Sequence, residues 1–344
     1  MGENPKVSGV YASTEQKGLK YHKIHKDWLD SVDATITEYR EKKYSGLMDN
    51  SFLEYYNGQL VDIDKEADIY VIENARAIYA LPELQKQNPE AEKIYLATSW
   101  NLFGLQPYNL HKQEVHNSLR AINELLDTYL LRRTVRRYSD RIITVSPLYR
   151  EKLTELFPEK KIDVVKPVSK NQIKQSPSLE TNNAIFVGAN RDHKGVDLLV
   201  EAWPQVRQEI KDAELTIVGK DHKNYEQEGV ETLGFVEDLE DAYENKSLYI
   251  HPARIDAFSV STLEAMKAGF PTVVTDQTGA KSQVKKVSKR LITKPDSKKL
   301  AESVIEYFNK KTDSKKEISQ EFIEITQHFR YDNSEKQFQE AIIK

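Results

Sequence analysis

The sequence contains no cysteine at all. Disulfides and thiolate-held metals are therefore excluded. Long hydrophobic runs are missing too: the longest fall far short of the ~20 apolar residues that span a bilayer. The first residues, MGENPKVSGVYAS, lack a basic segment followed by an apolar one, so no secretory signal is expected. Neither charge sign dominates, since 54 acidic against 50 basic residues leave a net charge of −4. That balance gives no global argument for a nucleic-acid partner. No internal repeat and no low-complexity segment is present. These absences lead to the expectation of a soluble cytoplasmic protein. What is present is 344 residues, 39% of them hydrophobic. On a prior of roughly 100–200 residues per domain, that length favours two domains over one.

The stretch from His251 to Gln283, HPARIDAFSVSTLEAMKAGFPTVVTDQTGAKSQ, is the most informative. SLYIHPA is a short apolar run ending in proline, as a buried strand would. STLEAMKAG places Leu263, Ala265, Met266 and Ala268 on one helix face and stops at Gly269. FPTVVTD returns as a second β-branched run. Strand, helix and strand in about 30 residues read as one βαβ unit of a parallel sheet. Ligands of such sheets sit beyond the strands' carboxyl ends, where the opening turn of a helix offers N–H groups to an anion. Asp256 and Glu264 bracket that turn. Two readings of them stand side by side: ligand-binding carboxylates, or a capping box Ser261-x-x-Glu264 with Asp256 as a solvated loop residue.

DAFSVSTLEAMKAGFPTVVTD resembles the signature of retaining GT-B glycosyltransferases of family 4, usually E-G-F-G-L-x-x-L-E-A-M-A-x-G-x-P-V-V-x-T. The E-x(7)-E pair falls on Asp256 and Glu264, with Asp for the first Glu and Ala257 and Ser259 for the loop glycines. AIFVGANRDHKGVDLLVEAWPQV is similar to the family's x-x-F-V-G-R-L-x-x-x-K-G-x-D-x-L-I-x-A. There Gly188 ends a strand and Lys194-Gly195 match the K-G pair. The resemblance implies that Lys194 reaches the donor diphosphate, whose two charges must be neutralised as the leaving group departs. Ala189 stands where the family has its Arg, and Arg191 is the substitute in the same loop. It further implies that Asp256 bonds donor-sugar hydroxyls and Glu264 grips the ribose. Ser259, Val260, Ser261 and Thr262 would present the helix N-terminus to the diphosphate, and Phe235 and Val236 would line the base pocket. No metal is implied: the acidic run Glu237, Asp238, Glu240 and Asp241 reads as the first turn of a helix.

The first half carries the resemblance only in its strand–helix rhythm. KVSGVYAS is an opening strand, followed by a helix whose Ile24, Trp28, Leu29 and Val32 share a face. The family's Gly-Gly loop at this point is reduced to Gly18. His22 and His25 read as surface residues. ADIYVIENA and KIYLATSW are further strands, the second leading to Trp100 and Asn101. The family often has a histidine there, facing the sugar. Here Trp100 could stack on a sugar face or fill a cleft wall. A long helix over roughly Gln113–Tyr138 shows Leu119, Ile122, Leu125, Leu126, Tyr129 and Leu130 as its apolar stripe. Its end carries Arg132, Arg133, Arg136 and Arg137, either a solvated face or an attraction to anionic lipid headgroups.

The resemblance implies the GT-B fold, an α/β architecture of two facing Rossmann-like domains with parallel sheets. Residues 1–167 would be the acceptor domain, 168–183 the linker, 184–330 the nucleotide-sugar donor domain, and 331–344 a helix crossing back to the first domain. The implied activity is transfer of a sugar from a nucleotide-diphosphate donor to a glycan, lipid-linked or other acceptor, with retention and without a cofactor. Two other classes fit the departures from the pattern: a degenerate GT-B adaptor of an active partner, and a sugar-nucleotide epimerase.

Overall fold

The computed structural model describes residues 4–13, 23–40, 63–73, 76–103, 117–220, 222, 225 and 227–343. The chain forms two compact units, one of residues 1–167 with 332–344, the other of 168–331. Each is built on a six-stranded, wholly parallel sheet flanked by helices.

In the first unit the strands are β1 (Val7–Ser13), β2 (Thr35–Arg40), β3 (Ile69–Glu73), β4 (Glu92–Ala97), β5 (Arg141–Thr144) and β6 (Lys161–Val164), ordered β2-β1-β3-β4-β5-β6. β3 and β4 are buried almost throughout, which is why they read as continuous apolar runs rather than alternating ones. β2 has no counterpart among the strands expected from the sequence. It is an edge strand with little burial, so no apolar pattern marks it. Trp28 and Leu29, from helix Lys23–Asp30, fill the core beneath.

The C-terminal helix, Tyr331–Ile343, is held to this unit by specific bonds. Trp28 Nε1 donates to Ser334 Oγ at 3.0 Å and its ring stacks on Phe338. Arg141 donates to the carbonyls of Ala341 (2.6 Å) and Ile342 (3.1 Å) while Glu92 grips the same guanidinium. A helix leaves its last carbonyls unpaired and negative, so a buried arginine there is doubly favoured.

Helix Asn117–Tyr138 corrects an expectation. Its buried side is Thr128, Leu131, Thr134 and Val135, and Leu125, Leu126 and Tyr129 are exposed. Apolar residues occur on more than one side of this helix, so periodicity alone could not fix its rotation.

The second unit contains β7 (Asn183–Val187), β8 (Glu214–Val218), β9 (Val230–Gly234), β10 (Leu248–His251), β11 (Thr272–Thr275) and β12 (Ile292–Thr293). Their order, β12-β11-β10-β7-β8-β9, is the doubly wound 3-2-1-4-5-6 arrangement read from the other edge. The chain reverses direction across the sheet between β7 and β10. Helix Val260–Lys267 follows β10 and packs on helix Thr312–Thr326. Gly269 ends it at φ 84, close against Ile323 and Ser319.

Candidate functional site

At the reversal between β7 and β10 two loops converge beyond the strands' carboxyl ends, the place where such sheets bind ligands. The loop after β7 passes Gly188 and Arg191, tightens into a turn at Asp192–Lys194 and ends at Gly195 with φ 68. A Cβ on Gly195 would lie 2.2 Å from the Pro252 carbonyl oxygen, so the loop crosses directly over the end of β10. Arg254 N and Ile255 N both donate to His193 O, at 2.8 and 3.2 Å, and tie the two loops together. Gly219 is equally constrained: at φ 144, its Cβ would meet Gly188 O at 1.9 Å.

These approaches bring Lys194 to Asp256, with Nζ 2.5 Å from Oδ2. The same oxygen lies 2.8 Å from Nε2 of the buried His251, the last residue of β10. A carboxylate only accepts, so His251 carries its proton on Nε2. Oδ1 accepts from Phe258 N at 3.1 Å. The Asp256 backbone is pinned as well, by Gln277 O and Gly279 N. Asp256 is therefore not a solvated loop residue. Burial alone would raise its pKa, but Lys194 and His251 more than offset that and hold the carboxyl well below the usual range. Burial has the opposite sign at His251, whose pKa it lowers against the attraction of Asp256.

His193 sits between these charges, and its pKa is lowered to about 4, first by burial and then by Lys194. The folded state thus disfavours protonated His193. This contribution is present above the ordinary histidine pKa of about 6.5 and is lost as pH falls towards 4. Thermal melts should show the second unit weakening over that interval. His193→Gln should flatten the slope; an unchanged slope would place the acid sensitivity elsewhere.

The capping box does not form. Helix Val260–Lys267 begins after Ser259, which sits at φ 70 and makes no capping bond to the helix backbone. Ser259 Oγ instead pairs with Thr262 Oγ1 at 2.6 Å. Ser261 Oγ accepts from Tyr249 and points at Val187 O. The opening N–H groups of Val260, Ser261 and Thr262 precede the first intrahelical bond. Glu264 lies in the second turn, mostly buried, where burial raises its pKa and a bond from Ser169 lowers it. Glu264 is thus buried without a capping role. Under the ligand-binding reading, Glu264→Gln should weaken nucleotide affinity by about 1.5–3 kcal/mol, the range for bonds to a charged group, with little change in melting. Isothermal titration beside a thermal melt checks this; an early melt with unaltered affinity would make Glu264 purely structural.

The remaining expected residues are placed as follows. Phe235 is 64% exposed just after β9, with Lys220 Nζ 4.9 Å from its ring centre. Val236 turns the other way and packs on the core around Tyr243 and Phe270. Arg191 is exposed at the start of the turn that presents Lys194. In the first unit, Trp100 opens a short turn that includes Asn101 and packs on Tyr149 and Phe103, at 4.6 and 5.1 Å. Gly18 and His22 lie outside the described residues.

Two histidines have weights the sequence did not convey. His251 is the base of the Asp256 cluster. His25 is not a surface residue: its Nδ1 lies 2.6 Å from Oε1 of Glu73, whose side chain is 1% exposed. This pair sits at the carboxyl edge of the first sheet, where its order reverses between β1 and β3. The one available signal was a carboxylate ending the apolar strand IYVIE.

Residues 181–310 match the family described as Glycosyl transferases group 1. Over nearly their whole lengths the chains superpose on solved structures. Sucrose-phosphate synthase from Thermosynechococcus elongatus gives a TM-score of 0.71 at 14% identity, covering 98% of each chain. WaaG, a glycosyltransferase involved in lipopolysaccharide biosynthesis, gives 0.69 at 14%, covering 97% of this chain and 99% of that one. The fold is GT-B. HepE from Anabaena, solved with UDP and glucose, shares this fold at a TM-score of 0.69 and 16% identity, covering 98% of this chain and 99% of its own. Among curated sequences, an uncharacterised glycosyltransferase from Haemophilus influenzae is 26% identical over 148 residues, which is 39% of this chain and 41% of the relative. Another from Methanocaldococcus jannaschii is 28% identical over 176 residues, covering 43% of this chain and 45% of the relative. The matches thus span under half the length of these curated relatives. No helix among the described residues is long and apolar enough to cross a membrane.

Proposed function

We propose that the chain is a glycosyltransferase that moves a sugar from a nucleotide-diphosphate donor to a glycan, lipid-linked or other hydroxyl acceptor, with retention and without a metal. The observation that carries this reading is the convergence of Lys194, Asp256 and the start of helix Val260–Lys267 at the β7/β10 reversal, inside the segment that matches the group 1 family. Lys194, Arg191 and the helix N–H groups would neutralise the diphosphate as negative charge grows on the leaving group. Glu264, Ser259, Val260, Ser261 and Thr262 would hold the nucleotide, with Phe235 and the Val236 backbone beside the base. Trp100 and Asn101 belong to the unit proposed for the acceptor. Retention of Lys194, Asp256 and Glu264 counts against a degenerate adaptor, and no observation favours an epimerase, which would bind the same nucleotide.

A panel of UDP-, GDP- and ADP-sugars, incubated with the protein in saturating chelator and again with magnesium, tests this. Release of nucleoside diphosphate at similar rates in both conditions is the expected result. Activity seen only with metal would overturn the metal-independent reading, a changed sugar would indicate epimerisation, and no turnover or binding would leave the adaptor.

A further inference from the structure

Asp256 is a poor candidate for an open sugar-binding carboxylate, because three donors already occupy it: Lys194 Nζ, His251 Nε2 and Phe258 N. An ionised carboxylate offers about four lone-pair sites, so roughly one remains for a ligand. Lys194 in turn is committed to Asp256 at 2.5 Å, in a partly buried setting where a charge pair is strong. A diphosphate cannot gain the full attraction of Lys194 while that pair persists.

We infer that Asp256 is the resident counter-ion of Lys194 and that a bound diphosphate must compete with it for the lysine. This inference rests on the reading of Lys194 as the diphosphate cation. The buried imidazole of His251, stacked on Phe186, donates to the same carboxylate oxygen as Lys194. The consequence is a site that holds its diphosphate product less tightly than its cations alone would, because the carboxylate reclaims Lys194 as the product leaves. One methylene separates Asp from the Glu usual in the resembling signature. The shorter side chain here reaches the lysine and the histidine with one oxygen.

The test is titration of UDP, GDP and ADP into wild-type protein, Asp256→Asn, Lys194→Ala and the double variant, at fixed ionic strength. Asp256→Asn should bind the preferred diphosphate roughly tenfold more tightly, a size in keeping with close charge pairs. In the Lys194→Ala background the same substitution should give a gain at least severalfold smaller, since no pair remains to be broken. Equal gains in both backgrounds would mean simple repulsion of the diphosphate by Asp256 and would overturn the inference. So would an unchanged diphosphate affinity combined with weaker nucleotide-sugar binding, which would make Asp256 a sugar ligand after all. If none of the three diphosphates binds wild-type protein, the cation reading of Lys194 fails and takes the inference with it. Should Asp256→Asn melt as an unfolded chain, Asp256→Ser removes the same charge and is read the same way.

Discussion

Lys194→Ala is expected to lower turnover of the nucleotide sugar by about 100-fold or more, the cost typical of removing one preorganised electrostatic stabiliser. Negative charge on the leaving diphosphate increases towards the transition state, so a cation beside it acts more on turnover than on ground-state binding. The geometry supports a large effect. Lys194 is held at the β7/β10 reversal by a tight turn that ends at the left-handed Gly195. The substitution also leaves Asp256 with only His251 and Phe258 N as partners, so a melt must accompany the kinetics. A folded variant with unaltered turnover would sink the assignment and leave the helix N-terminus and Arg191 as the anion's partners.

Gly195→Ala is expected to be among the most damaging conservative changes in the second unit, costing about 3–5 kcal/mol. Two effects add. A left-handed φ of 68 burdens any residue with a Cβ by roughly 1–2 kcal/mol. The added methyl would also sit 2.2 Å from the carbonyl oxygen of Pro252, a backbone atom directly after β10. Relief by backing the loop away would carry Lys194 from Asp256 and break the bonds from Arg254 N and Ile255 N to His193 O. Denaturant melts should show a lower midpoint, and any folded fraction should lose activity along with stability. A variant with wild-type melting would mean that the loop crosses β10 less closely than described.

Much of the fold could be read directly because its signals are local. β-branched runs such as FPTVVTD, helix faces such as Leu263–Met266 and a glycine such as Gly269 each report on their own few residues. Motif spacing likewise singled out Lys194, Asp256 and Glu264. Their partners could not be read in this way. Ser261-x-x-Glu264 fits a capping box by sequence, yet the helix begins one residue after Ser259, and Ser261 bonds Tyr249 instead.

By itself, then, the sequence determined the alternation of parallel strands and helices, the resemblance of its second half to a nucleotide-sugar domain, and which residue types stand at the strand ends. Tertiary structure alone decided that β7 lies beside β10, which brings Lys194 and Asp256 together across 62 positions. It also decided that His251 backs the carboxylate, that His25 reaches Glu73 48 positions away, and that helix Asn117–Tyr138 buries Thr128 and Leu131 rather than Leu125 and Tyr129. The physical reason is the same in each case. Periodicity and turn chemistry act over a few residues, whereas the pairing of buried charges and the rotation of a helix with apolar residues on several sides depend on what the sheet order places opposite them.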